Sequence, residues 1–278
     1  MKILVIGCGY AGSRIAALHL ARGDQVTATA RNPGRRKPVS GLEWLALELD
    51  APAPPLPEAD RVYYAAPPPA AGRDDPWLKA LLERLPPPQR FVYLGSTGVY
   101  GDRGGALVDE TAPLEPGTDR ARRRLEAENI VRAWSERRGV TAAILRIAAI
   151  YGPGRLPLDR LRAGKPVPDP ADTGPGNRIH VDDLANAALA VADSGRSGAW
   201  NVSDGHPMSI ADFTDYVADL AGLPRPRRVP LASPEISPGM RSFLRETRRI
   251  DNRKLLALPG FRLLFPDPRD GIRQSISK

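Results

Sequence analysis

The chain opens on a short apolar run, Ile3 to Ile6, and similar runs return at 25–30, 45–49, 61–66, 91–95, 141–150 and 200–202. Several are continuously apolar, as strands covered on both faces must be. Between them, longer stretches carry apolar residues at helical spacing. The spacing predicts a helix over 12–22 stopped by Gly23, and a second beginning at Asp75-Pro76, an acid followed by a first-turn proline. A third is predicted over 120–138, with Ala127, Ile130, Val131 and Trp134 on one side and Gly139 closing it. A fourth starts near Asp182. A fifth runs from Ser209 to Leu220, with Ser209 as N-cap and Ile210, Phe213, Val217 and Leu220 on one face. Short strands alternating with helices predict an α/β fold: a Rossmann-type doubly wound parallel sheet.

Proline-rich connectors at 51–57, 67–69 and 86–88 read as stiffened loops, because proline cannot continue a helix or a central ladder. After residue 152 the texture changes, and segments 153–176 and 223–240 become rich in Pro, Gly and Arg. This divides the chain into a dinucleotide-binding domain over 1–152 and a smaller C-terminal, mainly substrate-binding lobe over 153–278, with 177–203 returning to the sheet.

The first turn carries the chemistry. Gly7, Gly9 and Gly12 are spaced G-x-G-x-x-G between the opening strand and the first helix, the context in which this spacing marks a dinucleotide cradle. Gly7 permits the tight turn, Gly9 lets backbone approach a pyrophosphate, and Gly12 lets the helix pack on the strand. The helix N-terminus then faces the phosphates with its partial positive charge. Tyr10 and Ala11 within the loop, and Ala65 and Ala66 closing the fourth strand, complete the expected cofactor contacts. The second strand ends at Arg31, where an NAD site usually places a carboxylate for the ribose 2′-hydroxyl; Arg35, Arg36 and Lys37 follow closely. A guanidinium holds a 2′-phosphate that a carboxylate repels, so NADP(H) is expected, with NAD(H) as the alternative. Arg31 could instead stack on the adenine. Asp50, read as ending the third strand, is placed either to accept from the adenine amino group or to serve as a turn acid.

Composition narrows the function classes. The formal net charge is +8, with 40 basic residues of which six are lysine, so the excess is arginine spread along the chain. No aromatic platform or zinc-finger spacing accompanies it, which reads against nucleic acid and for an anionic cofactor or small-molecule substrate. The single cysteine, Cys8, allows neither a disulfide framework nor a cysteine zinc site and points to a reducing cytoplasm. No stretch reaches the roughly 20 apolar residues of a membrane span. Of three histidines, His19 reads as structural, His180 as bracing the substrate loop and His206 as a turn residue; no pair has metal-ligand spacing, and no metal is expected.

By "FVYLGSTGVYG" (91–101) the chain resembles the extended short-chain dehydrogenase/reductase family, also called the NAD-dependent epimerase/dehydratase family. "VDETAPLEP" (108–116), "LRIAAIYGPG" (145–154), "NRIHVDDLANA" (177–187) and "WNVSDG" (200–205) agree in order, and "RRIDNRKLL" (248–256) echoes it. The resemblance implies a Ser after the fifth strand that positions substrate, matched by Ser96. It also implies a Tyr-x-x-x-Lys pair for proton transfer and nicotinamide-ribose binding. That pair is absent: anchoring on Glu128 puts Arg124 at the lysine position and Arg120 at the tyrosine position, and no tyrosine lies between Tyr100 and Tyr151.

Arginine stays protonated at physiological pH and cannot replace a phenol as acid. Arg124 can still hydrogen-bond the nicotinamide ribose, and Arg120 is read either as binding an anionic substrate group or as surface charge. Tyr100, beside Ser96, is the preferred substitute acid, against a packing role; Tyr151 is the other tyrosine at a strand end, and Asp109 and Glu110 are loop acids. A substrate such as an already protonated imine would need hydride positioning alone. Two readings follow: an NADP(H)-dependent oxidoreductase or epimerase acting on a sugar nucleotide or a small carbonyl or imine, or a catalytically silent NADP(H)-binding sensor or scaffold. A homo-oligomer stays open, since helices in this family often pair subunits.

Overall fold

Seven strands, β1 (Lys2–Ile6), β2 (Gln25–Ala30), β3 (Leu42–Ala46), β4 (Arg61–Tyr64), β5 (Arg90–Leu94), β6 (Thr141–Ile147) and β7 (Gly198–Val202), form one parallel sheet. Their order is β3-β2-β1-β4-β5-β6-β7. The computed structural model of the protein describes residues 1–51 and 54–277; two positions of the 51–57 connector, 52 and 53, lie outside the described residues. The chain winds outward from β1 in both directions, so all strand carboxyl ends share one edge and a crevice opens beside β1 where the order reverses.

Alternation along each strand fills both faces. Ile3 and Val5 of β1, with Val92 and Leu94 of β5, pack with α1 (Tyr10–Ala21) and α4 (Val181–Asp193) through Ile15, Leu184 and Ala188. Leu4 and Ile6, with Phe91 and Tyr93, meet Leu78 and Leu82 of α2 (Pro76–Arg84) and Val131 and Trp134 of α3 (Asp119–Arg138). This is the period-two rule of a strand buried on both sides, and each fully buried Leu or Ile contributes about 1.5–3 kcal/mol. Caps set the helix starts: Asp75 accepts from Leu78 N at 3.0 Å, and Thr118 from Ala121 N at 3.2 Å. Gly139, in the left-handed region at φ 65°, ends α3.

Several expected boundaries shift. The third strand is Leu42–Ala46 rather than 45–49, because this edge strand is half-exposed on both faces and its apolar pattern does not mark where the ladder with β2 stops. The run 61–66 leaves the ladder after Tyr64, and 141–150 breaks at Ala148, whose N–H turns to Val202 O at 3.0 Å. The first helix begins at Tyr10, two residues before the expected start. Leu220, expected on the buried face of α5 (Ile210–Leu220), is 39% exposed in that helix's last turn.

The C-terminal part builds a lobe over the crevice with its own small core, in which Tyr151, Met208, Phe213, Val217 and Ile272 cluster. It includes α6 (Pro238–Arg245) and α7 (Pro268–Ile276). The segment between them crosses back: Arg249–Ile250 pairs with Leu107–Val108, and Leu255, Leu258 and Phe261 join the main core. His180 caps α4, its Nδ1 accepting from Asp182 N at 3.2 Å. Among the described residues no helix is long and apolar enough to cross a membrane.

At the turn after β7, Asp204 is 5% exposed; one carboxylate oxygen accepts from His206 N at 2.9 Å, and the other has no partner. Burial pushes its carboxyl up to about 7 from an ordinary 3.8, against the pull of the His206 N–H and Arg178. A carboxyl held more protonated in the folded state stabilises the fold fully below its unfolded pKa, and that contribution drains away as pH rises towards the folded one. Asp204 should therefore subtract up to about 1.4 kcal/mol per pH unit between roughly pH 4 and 7. Asp204→Asn should gain stability relative to wild type on going from pH 4 to pH 8, measured by chemical denaturation. An advantage identical at both pH values would contradict this.

Candidate active site

The crevice holds two joined clefts. The upper one, about 640 Å³, runs from the glycine loop past the ends of β2 and β4. Gly7 sits at φ 78°, and a Cβ there would fall 2.6 Å from Ala66 N, so only glycine closes this turn against the strand end. A Cβ on Gly12 would stand 3.0 Å from Gly7 O and 3.2 Å from Val5 Cγ1, pressed between helix and strand. A Cβ on Gly9 would meet only Gly7 O, at 3.9 Å; this backbone is open to the cleft.

Helix α1 starts directly from that open position, with no side-chain cap and no acid in its first turn. By contrast α2, α3, α4 and α5 all carry side-chain caps. The first-turn N–H groups and the positive end of the dipole are thus left for an external acceptor. Tyr10, Ala11, Ala65 and Ala66 also line this cleft, as do Arg31 and Asp50 at its outer end. Burial pushes the Cys8 thiol up to about 11 despite nearby Arg36, so it stays protonated at neutral pH.

The lower cleft, about 440 Å³, lies under the C-terminal lobe. Gly95, Arg124, Ile147, Ile150 and Arg155 line both clefts and mark where they join. Ser96 lies just inside the lower one. Its Oγ accepts from Gly98 N at 3.1 Å, capping the turn Thr97–Tyr100 and leaving its proton free to donate. Arg124 is held by Tyr93 Oη at 3.1 Å and Leu94 O at 3.3 Å. Arg120, one turn earlier, has its guanidinium 5.8 Å from the centre of the Phe243 ring of α6.

Three expectations need correction. Tyr100 is fully buried and outside both clefts. Its hydroxyl donates to Asn201 Oδ1 at 2.7 Å and accepts from Arg146 Nη1 at 3.0 Å, and burial raises its pKa. The short turn after Ser96 swings this side chain into the core, so nearness in sequence did not become nearness in the site. Arg35 ends the turn Pro33–Arg35 and lies off the cleft wall, which Arg36 lines instead. Asp50 lines the cleft from a turn four residues beyond β3 and does not end the strand.

The other tyrosine and the loop acids are also structural. Tyr151 Oη donates to Pro268 O at 3.4 Å in the lobe core, and burial raises its pKa. Glu110 accepts from Asn201 N at 2.7 Å, and Asp109 from Thr111 N at 2.9 Å. Among the cleft residues that went unread in the sequence are two arginines. Arg155 lies over the Tyr10 ring at 4.1 Å, a contact across the fold with no local signal. Arg123 follows Arg120 by three residues on α3, a spacing that could have revealed it.

Comparisons with known proteins find similar sequences and a similar fold. The family described as "NAD dependent epimerase/dehydratase family" matches residues 78–203. Protein YeeZ of Escherichia coli (strain K12) is 29% identical, over 96% of this chain and 97% of its own. A 3-diazoavenalumate denitrifying reductase of Streptomyces sp is 31% identical, over 66% of this chain and 64% of its own. A functionally unknown conserved protein from Silicibacter pomeroyi DSS has a similar structure, with TM-score 0.85 and 31% identity, covering 99% of this chain and 98% of that one.

If Tyr100 belongs to the core, Tyr100→Phe should cost about 1–3 kcal/mol by stranding Arg146 and Asn201, while nicotinamide-nucleotide affinity stays at the wild-type value. Denaturation and a fluorescence titration measure the two. Unchanged stability with lost binding would return the residue to the site.

Proposed function

We propose that this chain, whose residues 78–203 match the NAD dependent epimerase/dehydratase family, is an oxidoreductase that exchanges hydride between NADP(H) in the upper cleft and a carbonyl or imine carbon in the lower one, without a Tyr-x-x-x-Lys pair. One observation carries the reading: an uncapped, glycine-lined helix N-terminus opens one cleft, and that cleft joins a second beside Ser96 and Arg124. Backbone access at Gly9 and the free first-turn N–H groups fit a diphosphate. Arg31 and Arg36 at the outer end fit a 2′-phosphate, and Asp50 beside them fits the adenine amino group. Ala65 and Ala66 allow close approach along the floor.

Bound there, the nicotinamide supplies or accepts hydride. Ser96 donates a hydrogen bond to the substrate's carbonyl oxygen and keeps its proton. Arg124 adds a fixed positive charge at the junction, where it replaces the lysine in holding the nicotinamide ribose. Negative charge growing on a carbonyl oxygen is therefore stabilised by preorganised donors rather than quenched by a protein acid. The proton follows from solvent, or arrives already on an imine nitrogen. The Streptomyces relative is named a reductase, which favours net reduction over epimerisation.

A second reading, a silent NADP(H) sensor, rests on Arg120 and Arg124 standing where the proton-transfer pair would be. Turnover separates the two. With a carbonyl or imine panel, wild type should oxidise NADPH, and Ser96→Ala should lose on the order of a hundredfold in kcat with NADPH affinity unchanged. Tight NADPH binding with no turnover on any substrate would leave the sensor. NADPH should bind more tightly than NADH, and the double variant Arg31→Ala, Arg36→Ala should erase the difference while Arg35→Ala keeps it. Equal wild-type affinities would end the 2′-phosphate assignment.

A further inference from the structure

Two arginines of the lower cleft differ from the many elsewhere in the fold that meet a carboxylate. Along the surface and in the core, guanidinium groups meet carboxylates: Arg22 and Arg61 on Asp193, Arg137 on Glu83, Arg146 on Glu128 and Arg225 on Asp219. In the lower cleft the one carboxylate, Glu246, is taken by Arg248 at 3.2 Å. Arg124 and Arg155 also face the upper cleft. Arg120 and Arg123, both on α3, line the lower cleft alone, and among the described residues neither forms an ion pair.

Arg123 is 8% exposed. It gives Nη1 to Gly72 O at 2.6 Å, its buried Nε has no partner, and its Nη2 makes no hydrogen bond among the described residues. Asp75 is near enough to feel its charge but forms no ion pair or hydrogen bond with it, and burial raises the Asp75 pKa. A buried cation lacking a counter-charge is costly, and an anion supplied from outside removes the cost. Arg120 occupies the position where the resemblance implies a tyrosine acid, so that position on α3 attracts negative charge instead of moving protons. The Arg120 guanidinium stands 5.8 Å from the centre of the neighbouring Phe243 ring and meets no acid there.

We infer that Arg120 and Arg123 form a subsite for a carboxylate or phosphate carried by a small substrate, whose reducible carbon lies towards Ser96. The inference rests on the proposed reading for the hydride step alone; the anion subsite is testable without cofactor.

The test follows the melting temperature of the full chain with benzoate, phenyl phosphate, the neutral isostere benzamide or UDP-glucose, at constant ionic strength, with and without NADPH. Benzoate or phenyl phosphate should raise it by about 3 °C at ten times its Kd, and benzamide should not. Arg120→Gln, on an exposed residue that leaves the core intact, should weaken the shift. Arg120→Gln with Arg123→Gln should abolish it while the NADPH shift persists, and Arg123→Lys should keep part of it. A wild type indifferent to both small anions, a response confined to UDP-glucose, or a double variant responding like wild type would each overturn the subsite. Loss of the NADPH shift in wild type would instead sink the oxidoreductase reading and leave the anion response legible.

Discussion

Glu128, with no exposed surface, binds the buried guanidinium of Arg146 through Nε at 3.2 Å and Nη2 at 3.0 Å, tying α3 to β6 beneath the crevice. Arg146 also reaches Tyr100, and Tyr100 reaches Asn201 on β7, so one network joins the long helix to two strands of the sheet. Breaking a buried pair by removing one partner typically costs about 3–5 kcal/mol, because the other charge is left uncompensated. What the pair fixes is rotation. Residues four apart lie on one helix face, so with Glu128 held inward, Arg124 and Arg120 must follow the same face upward to the crevice. Without that constraint a helix as polar as α3 would have little apolar pattern to choose its orientation; Ala127, Val131 and Trp134 define only one stripe.

Once α3 is oriented, the chemistry of the cleft follows from what guanidinium can and cannot do. It cannot give up its proton near neutrality, so neither Arg120 nor Arg124 replaces a phenol in proton transfer. It does fix positive charge beside the junction of the clefts. A site built this way suits a substrate whose reduction is limited by developing negative charge or by orientation, and suits poorly one that must lose a proton from a hydroxyl before giving up hydride. On the proposed function, the asymmetry favours reduction of the substrate over its oxidation.

The alternation of β1 and the context of Gly7, Gly9 and Gly12 were enough to read the sheet and its cradle, because covered strands and tight turns tolerate few residue types. Boundaries were legible only where burial was strict. β3, half-exposed on both faces, left its end unmarked, and Asp50 was assigned to the wrong element with it. Tyr100 was misplaced for a different reason: a four-residue turn decides whether a side chain beside Ser96 faces the cleft or the core, and the sequence carries no marker of that rotation. Arg35 and Arg36 differ by one position around a short turn, and only the backbone chooses between them. Arg155 reaches Tyr10 across the fold, where no periodicity extends.

The basic excess of the chain is only partly neutralised by its own acids. Many guanidinium groups are neutralised locally by acids on the same or adjacent elements, pairs that at the surface contribute about 0–1 kcal/mol each and mainly keep the field mixed. Six that form no ion pair among the described residues line the crevice, with Arg31 and Arg36 at its outer end, Arg155 and Arg124 at the junction, and Arg120 and Arg123 beyond. Low-dielectric walls focus such a line of charge far more than an open surface would. On the proposed function, the crevice favours negative charge along its length: the cofactor's phosphates at the glycine loop, and the substrate's own anion in the lower cleft. A neutral substrate would leave the buried Arg123 without the partner its surroundings withhold.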